Sequence, residues 1–156
     1  MFLIRKANEN DLAAVLNILN AATEKLLAKG VMQWELPWDK DVILKDISDG
    51  LFYLGVDGEQ EICCLGLKKF EINPFNCDGT GMYAYHLAVH PQYSGKGYST
   101  QLCSFIHNYA KENGTTVYFD CWAGNDFLKK FYTDAGFEHM GDFPEEDYFV
   151  SAFKTK

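Results

Sequence analysis

The chain has 156 residues, the length of one ordinary domain, and its 47% hydrophobic content is sufficient for a packed core. That composition excludes disorder of the whole chain. The formal net charge of −8 argues against nucleic acid as a partner, because phosphate binding needs clustered Lys and Arg, and it is compatible with a cationic acceptor such as an amine. From the length and the hydrophobic content we expect a single domain over residues 1–156.

No segment of the sequence predicts export or insertion into a membrane. The first apolar run stops at Arg5, which is too short for a signal peptide, and no stretch approaches the roughly 20 apolar residues of a membrane helix. We expect a cytoplasmic protein without a membrane partner. The cysteines are odd in number and lack a C-x-x-C pair, so they predict buried, reduced thiols rather than disulfides or a metal site: Cys63, Cys64, Cys77, Cys103 and Cys121.

The predicted elements alternate between strands and helices. Asn8 is expected to cap the first helix, with Asp11 as its capping-box partner. Helices are expected from Leu12 to Lys29 in two pieces, at 40–48, at 98–113 and around 127–132 as far as Gly136. Strands are expected at 2–5, 51–56, 62–70, 82–89, 116–122, 137–140 and 148–153, the last two as a hairpin around Pro144.

Two connections shape the expected sheet. Residues 73–79 are dense in turn formers and predict a loop. The helix between Val89 and Thr116 is a crossover, so the strands on either side of it should run parallel. The order of elements predicts a mixed α/β fold around one sheet.

The turn between the fourth strand and the long helix is the most informative segment. Gly95 and Gly97 flank a lysine at a helix start, where exposed N–H groups and the helix dipole favour an anion such as a pyrophosphate. A dinucleotide fingerprint would need glycine at Thr100, and a Walker loop would need glycine at His90. The pattern Q-x-x-G-x-G is satisfied, beginning at Gln92.

The chain resembles the GNAT superfamily of N-acetyltransferases in three segments. These are residues 87–97 (LAVHPQYSGKG), 120–125 (DCWAGN) and 131–137 (FYTDAGF), in that order. Ser99 stands where many members of the family carry glycine. The resemblance is specific over residues 82–140 and elsewhere rests on the order of the elements.

The resemblance implies a fold and a cofactor. It implies a GNAT-like, largely antiparallel mixed sheet, flanked by helices, in which a splayed parallel pair ending at Val89 and Trp122 holds acetyl-CoA. It implies an N-acetyltransferase that passes the acetyl group to a small amine by direct attack in a ternary complex, without a metal. The matching cofactor positions are Leu87, Ala88, Val89, Gln92, Tyr93, Ser94, Gly95, Lys96, Gly97, Tyr98, Ser99, Asn125 and Tyr132.

The resemblance also suggests catalytic roles, each with a plainer alternative. Tyr132 matches the family's general acid, and its alternative is a core aromatic. Asp120 is the first candidate base and otherwise a structural or acceptor-binding carboxylate; His86 is the second candidate, suited by its ordinary pKa, and otherwise a hydrogen-bonded strand residue. Asn125 contacts CoA or only caps a helix.

The acceptor pocket is expected to draw on aromatic and polar side chains. The candidates are Gln33, Trp34, Glu35, Trp38, Tyr85 and Trp122. The two tryptophans of the early loop have packing on the first helices as their alternative. The sequence does not name the amine.

Two other function classes stay open. One is a catalytically silent acyl-CoA-binding module, acting as a sensor or partner, and the other is a nucleotide-phosphate binder. A covalent route through Cys121 is disfavoured, because positioning two substrates already accounts for much of the rate. Exposed strand edges near the C-terminus are compatible with a homodimer.

Overall fold

The computed structural model describes residues 1–31, 34–70, 75 and 80–156. The strands are β1 (Phe2–Lys6), β2 (Phe52–Asp57), β3 (Gln60–Phe70), β4 (Gly81–Val89), β5 (Val117–Trp122), β6 (Glu138–Pro144) and β7 (Phe149–Lys154). The α-helices are α1 (Leu12–Ala28), α2 (Lys40–Ser48), α3 (Tyr98–Asn113) and α4 (Asp126–Asp134). Short 3₁₀ turns occupy Glu9–Asp11 and Pro91–Tyr93.

Within the described residues, the strands form one seven-stranded sheet in the order β1-β2-β3-β4-β5-β7-β6. The pair β4–β5 is parallel, with Met82 opposite Val117 and Tyr83 opposite Tyr118. The pairs β1–β2, β2–β3, β5–β7 and β6–β7 are antiparallel. The predicted mixed α/β fold with one parallel pair is therefore confirmed. The predicted loop at 73–79 lies outside the described residues, apart from Phe75.

The chain divides into two compact units. The first comprises Met1–Leu67 and Tyr85–Leu102, and the second comprises Lys68–Ala84 and Cys103–Lys156. The first unit contains α1 and α2, whose apolar faces are buried; the second has a core of phenylalanine rings, in which Phe119 stacks on Phe153 at 5.6 Å.

The capping box predicted before the first helix is present in the structure. Asn8 accepts a hydrogen bond from the Asn10 amide, and the Asp11 carboxylate accepts one from the Asn8 amide at 2.8 Å. Arg5 pairs with Asp11 at 2.8 Å, and this hydrogen bond lowers the pKa of the Asp11 carboxyl group. The cap thus orients the 3₁₀ turn that leads into α1.

Helix α1 is continuous, so the expected division into two pieces was wrong. No Gly or Pro interrupts residues 12–28, and the polar Thr23 stays compatible with the helix by donating its hydroxyl to the Leu19 carbonyl at 2.7 Å. Gly30 has φ +77° and ends the helix as predicted, while the Val31 amide closes back onto the Leu26 carbonyl.

Strand β6 is longer than predicted. Its pairing with β7 continues to Pro144 opposite Phe149, because a proline is tolerated at the end of an edge strand. The hairpin closes with the Glu145 amide donating to the Tyr148 carbonyl at 2.9 Å.

Gly66 on β3 provides the space for a buried aromatic ring on β4. A Cβ atom at Gly66 would lie 2.6 and 2.7 Å from the two Cε atoms of Tyr85. The Tyr85 ring also meets Phe52 edge-on, and its hydroxyl donates to Asp46 Oδ2 at 3.0 Å. A side chain at residue 66 would therefore displace a ring that is fixed at both ends.

We expect Gly66→Ala to lower the free energy of unfolding by about 1–3 kcal/mol, as overpacking does in a well-filled core. Denaturant unfolding measures this. In a Tyr85→Ala background the ring is gone, so the same substitution should cost clearly less. Equal costs in both backgrounds would contradict the steric explanation.

Candidate active site

The turn that follows β4 is built from local main-chain bonds. His90 Nδ1 accepts a hydrogen bond from the Gln92 amide at 3.1 Å, which starts the 3₁₀ turn. The amides of Tyr93 and Ser94 then donate to the carbonyls of His90 and Pro91. After these bonds the chain passes through two glycines at positive φ, +76° at Gly95 and +84° at Gly97. Only glycine adopts this backbone without strain.

A row of main-chain donors is left open after that turn. Across the described part of the chain, no acceptor pairs with the amide N–H groups of residues 95–100; the ladder of α3 begins when the Gln101 amide donates to the Gly97 carbonyl at 3.2 Å. Nothing lies within 4 Å of the points where Cβ atoms of Gly95 or Gly97 would be. A row of free N–H groups at a helix N-terminus, with open space beside it, is suited to an anion.

Two side-chain contacts secure this turn. Tyr98 donates its hydroxyl to Asp57 Oδ2 at 2.9 Å, and Lys25 Nζ donates to Ser94 Oγ at 3.2 Å. Sequence reasoning missed Lys25 and Asp57. They lie 69 and 41 residues away from their partners, so no local pattern could have identified them.

The strand that precedes the turn contains an unusual residue. His86 has φ +53°, alone among the described non-glycine residues. A side chain in this conformation costs about 1–2 kcal/mol and persists only where its surroundings impose it. The His86 ring meets Tyr85 at 4.8 Å and Trp38 at 4.7 Å, both edge-on, and its carbonyl accepts from Cys64 Sγ at 3.7 Å. The predicted cofactor positions 87–89 follow directly.

The loop tryptophans predicted to line an acceptor pocket are partly used in packing. Trp38 donates its indole N–H to Thr23 Oγ1 at 2.9 Å, and Trp34 meets Trp38 edge-on at 5.5 Å. The packing alternative is therefore present for Trp38. Glu35 is exposed, and Gln33 lies outside the described residues. Tyr85 is buried in its Gly66 slot.

In the second unit, Asp120 lies on β5 as a largely buried carboxylate. Burial raises the pKa of Asp120 from 3.8 to about 6; the hydrogen bond that Tyr83 donates at 3.1 Å opposes this rise, and the negative charge of Glu145 adds to it. A carboxyl group with a pKa near neutrality can exchange a proton with a substrate, as a general base must.

Tyr132 on α4 is also buried, with its ring edge-on to Phe119 at 4.7 Å. Burial raises the pKa of Tyr132, so the phenol is protonated at neutral pH. Its hydroxyl forms no hydrogen bond to any residue that the structure describes. The ring is thus a core aromatic, as the alternative held, while the hydroxyl keeps its capacity to donate.

Asn125 caps α4. Its side-chain oxygen accepts from the Leu128 amide at 3.1 Å, and the residue is buried. The predicted cap is confirmed, and contact with CoA stays a prediction. Trp122, which ends β5, lies over Gly124, where a Cβ atom would be 2.5 Å from the nearest atom of its ring.

Burial makes the four described cysteines poor nucleophiles. Cys63, Cys64, Cys103 and Cys121 are free and buried, as predicted, and Cys77 lies outside the described residues. Burial raises the pKa of Cys121 to about 12, so almost no thiolate exists at neutral pH for a covalent route. Among the residues with assigned positions, no group of three potential metal ligands occurs, and no helix has the length and apolarity to cross a membrane.

Comparison with known proteins agrees with this geometry. The model of the acetyltransferase (GNAT) family matches residues 12–137. A GNAT-family acetyltransferase from Streptococcus agalactiae has a TM-score of 0.82 and 16% identity over 99% of this chain and 94% of its own. None of the curated proteins matches this sequence.

Two further solved structures contain the cofactor. PaiA N-acetyltransferase from Thermoplasma acidophilum, in complex with coenzyme A, has a TM-score of 0.75 and 17% identity over 100% of this chain and 99% of its own. The protein yncA of Salmonella typhimurium, with its cofactor acetyl-CoA, has a TM-score of 0.73 and 17% identity over 99% of this chain and 93% of its own. At these identities the likeness shows a shared fold.

The raised pKa of Asp120 predicts a pH-dependent effect on stability. Because the folded-state pKa lies above the unfolded value, the stabilisation is full below about pH 4 and is lost as the pH rises through about 6. Asp120→Asn cannot ionise and still accepts from Tyr83. We expect the variant to be more stable than the wild type at about pH 8, by about 1–3 kcal/mol, and similar at about pH 4.

Urea unfolding at the two pH values measures this difference. Asp142→Asn is the matched control in the same unit: the hydrogen bond from Ser151 lowers the pKa of Asp142, so that substitution should destabilise at the higher pH. An Asp120→Asn variant that is destabilised at about pH 8 would contradict the assignment.

Proposed function

We propose that this chain, which belongs to the GNAT acetyltransferase family, transfers an acetyl group from acetyl-CoA to a primary amine of a small molecule. The observation that carries the proposal is the row of open amides at residues 95–100, beside two glycines at positive φ. Such a row offers main-chain hydrogens to a diphosphate. Coenzyme A and acetyl-CoA are present in the two solved structures named above.

In this proposal the cofactor lies along the first unit's residues. The diphosphate of CoA accepts hydrogen bonds from the turn between Gln92 and Ser99. The pantetheine arm pairs with the main chain of Leu87 to Val89, and an amide of this segment polarises the thioester carbonyl. The family pattern also assigns cofactor contacts to Asn125 and Tyr132.

The transfer is a direct attack in a ternary complex. The lone pair of the neutral amine forms a bond to the thioester carbon, the carbonyl oxygen takes on negative charge, and the C–S bond then breaks. The sulfur leaves with the bonding electron pair and takes up a proton, giving CoA thiol. The amine nitrogen loses one proton, so that the product is a neutral amide.

Asp120 and Tyr132 are proposed to move these two protons. Asp120 accepts the proton from the amine, directly or through water, because its pKa of about 6 leaves it ionised at neutral pH yet basic enough for the task. Tyr132 donates to the departing thiolate, since its protonated hydroxyl has no bond to a described residue. His86 is the second candidate base.

The acceptor is proposed to arrive as an ammonium ion, which releases one proton to water before the neutral amine attacks the thioester. The net charge of −8 attracts an ammonium ion, and Trp34, Trp38 and Trp122 offer aromatic faces for it. Gln33, Glu35 and Tyr85 remain proposed acceptor-binding residues. We further propose that the chain is one catalytic domain, that it works in the cytoplasm, and that its edge strand β6 pairs in a homodimer.

Thiol release from acetyl-CoA against an amine library tests the proposed reaction. With an accepted amine, we expect Tyr132→Phe and Asp120→Asn each to lower kcat at least tenfold, about 1.4 kcal/mol of barrier. Wild-type kcat/KM should fall below about pH 6 as Asp120 takes up a proton, and Asp120→Asn should remove that limb.

Three results would each remove part of this assignment. Full activity of both variants contradicts the acid and base roles. If the acidic limb of the kcat/KM profile is unchanged in Asp120→Asn, it arises from another group, such as His86. CoA binding without thiol release from any amine would indicate the silent binding module instead.

The anion site makes a separate prediction for cofactor binding. We expect Gly97→Ala to weaken CoA binding at least tenfold, because a Cβ at φ +84° distorts the row of amides. Gly58→Ala is the matched control, with φ +63° in an exposed turn and nothing within 4 Å of its added Cβ. Calorimetric titration with CoA compares the two; equal affinities would contradict the proposed phosphate site.

A further inference from the structure

The left-handed residue of β4 is held by side chains of the sheet and by Trp38, which lies outside the sheet. His86 has φ +53°, although residues of a β-strand ordinarily have an extended backbone with negative φ. Such outliers cluster at functional sites, where surrounding packing maintains them. The segment that follows, residues 87–89, is the one proposed above to receive the thioester. The conformation of His86 therefore sets the direction of the amides that come next.

Trp38 supplies one of these contacts. Its ring meets the His86 ring edge-on, with centroids 4.7 Å apart and planes at 79°. The indole is also held by a hydrogen bond, because its N–H donates to Thr23 Oγ1 at 2.9 Å. Edge-on aromatic pairs have a defined geometry, so a fixed indole restricts the position of the imidazole.

Thr23 lies at the base of this chain of contacts. It is completely buried in α1 and donates its own hydroxyl proton to the Leu19 carbonyl at 2.7 Å. Since that proton is committed, the Thr23 oxygen is left as the acceptor for the Trp38 indole. A buried hydroxyl with both functions used has a unique orientation.

From this chain of contacts we infer that Thr23 is a positioning residue for acetyl transfer, acting through Trp38 on the backbone of His86. The inference rests on the proposed function. Thr23 touches neither substrate; it maintains the backbone that directs the amides of residues 87–89 to the thioester oxygen. It affects the step in which negative charge develops on that oxygen, and leaves the diphosphate turn unchanged.

Thr23→Val tests the inference, because valine keeps the shape and removes the acceptor. At saturating acetyl-CoA and amine we expect kcat to fall about five- to tenfold, the effect of one lost hydrogen bond. The Kd for CoA should stay within twofold of the wild type. Thr23→Ser keeps the hydroxyl and should retain kcat within twofold.

A spectroscopic readout follows the same contact without turnover. The Trp38 indole N–H should be protected from hydrogen exchange in the wild type and in Thr23→Ser, and should exchange faster in Thr23→Val. In a His86→Gly background the left-handed backbone needs no packing, so adding Thr23→Val should change kcat no further. These results together support the positioning role.

The contrary outcomes are distinct. Equal kcat in the wild type and Thr23→Val overturns the positioning role and leaves the proposed function intact. A raised KM for the amine with unchanged kcat also overturns it, since Trp38 would then act only as a pocket wall. A wild-type chain that binds CoA but acetylates no amine overturns the proposed function and this role with it.

Discussion

Main-chain N–H groups at the start of a helix need acceptors, and the start of α3 leaves that need unmet among the described residues. The Asp39 side chain caps the start of α2, and the Asn125 side chain caps the start of α4. Before α3 stands Gly97, which has no side chain to offer. The amides of residues 95–100 have no acceptor within the described chain, and two glycines at positive φ hold them in open space. An anionic ligand satisfies this constraint directly.

The surrounding residues keep that turn and its strand in place. Asp57 on β2 and Lys25 on α1 hold the turn through hydrogen bonds. Aromatic packing holds His86 on β4, the strand that leads into the turn. In the second unit, burial acts on the two residues with proposed proton-transfer roles. It raises the pKa of Asp120 into the neutral range and keeps the Tyr132 phenol protonated. Burial thus supports a base at Asp120 and an acid at Tyr132.

Local patterns in the sequence predicted most of the fold. The capping box at Asn8, the glycine stop at Gly30 and the terminal hairpin depend on residues close together in the chain. The parallel pairing of β4 with β5 followed from the helix between them. The errors were also local: α1 lacks the expected break, and β6 continues to Pro144. Neither error altered the order of the elements, which is why the fold class was confirmed.

The site was only partly predictable for a physical reason. The glycine turn is a contiguous signal, and the raised pKa of Asp120 depends on burial that no sequence pattern displays. The contacts of Thr23 with Trp38 and of Asp57 with Tyr98 join distant parts of the chain. The positive φ of His86 has only a weak signal in its residue type: histidine is enriched among the few non-glycine residues at positive φ, but strand residues ordinarily adopt extended backbone.

The central claim is that the amides of residues 95–100 bind the diphosphate of CoA. Titration of ¹⁵N-labelled protein with CoA, followed by amide chemical shifts, tests it most directly. The account predicts that these six amides shift strongly, that inorganic pyrophosphate reproduces part of the change, and that the turn at Gly58 is unaffected. Saturating CoA binding that leaves the amides of residues 95–100 unshifted would contradict it.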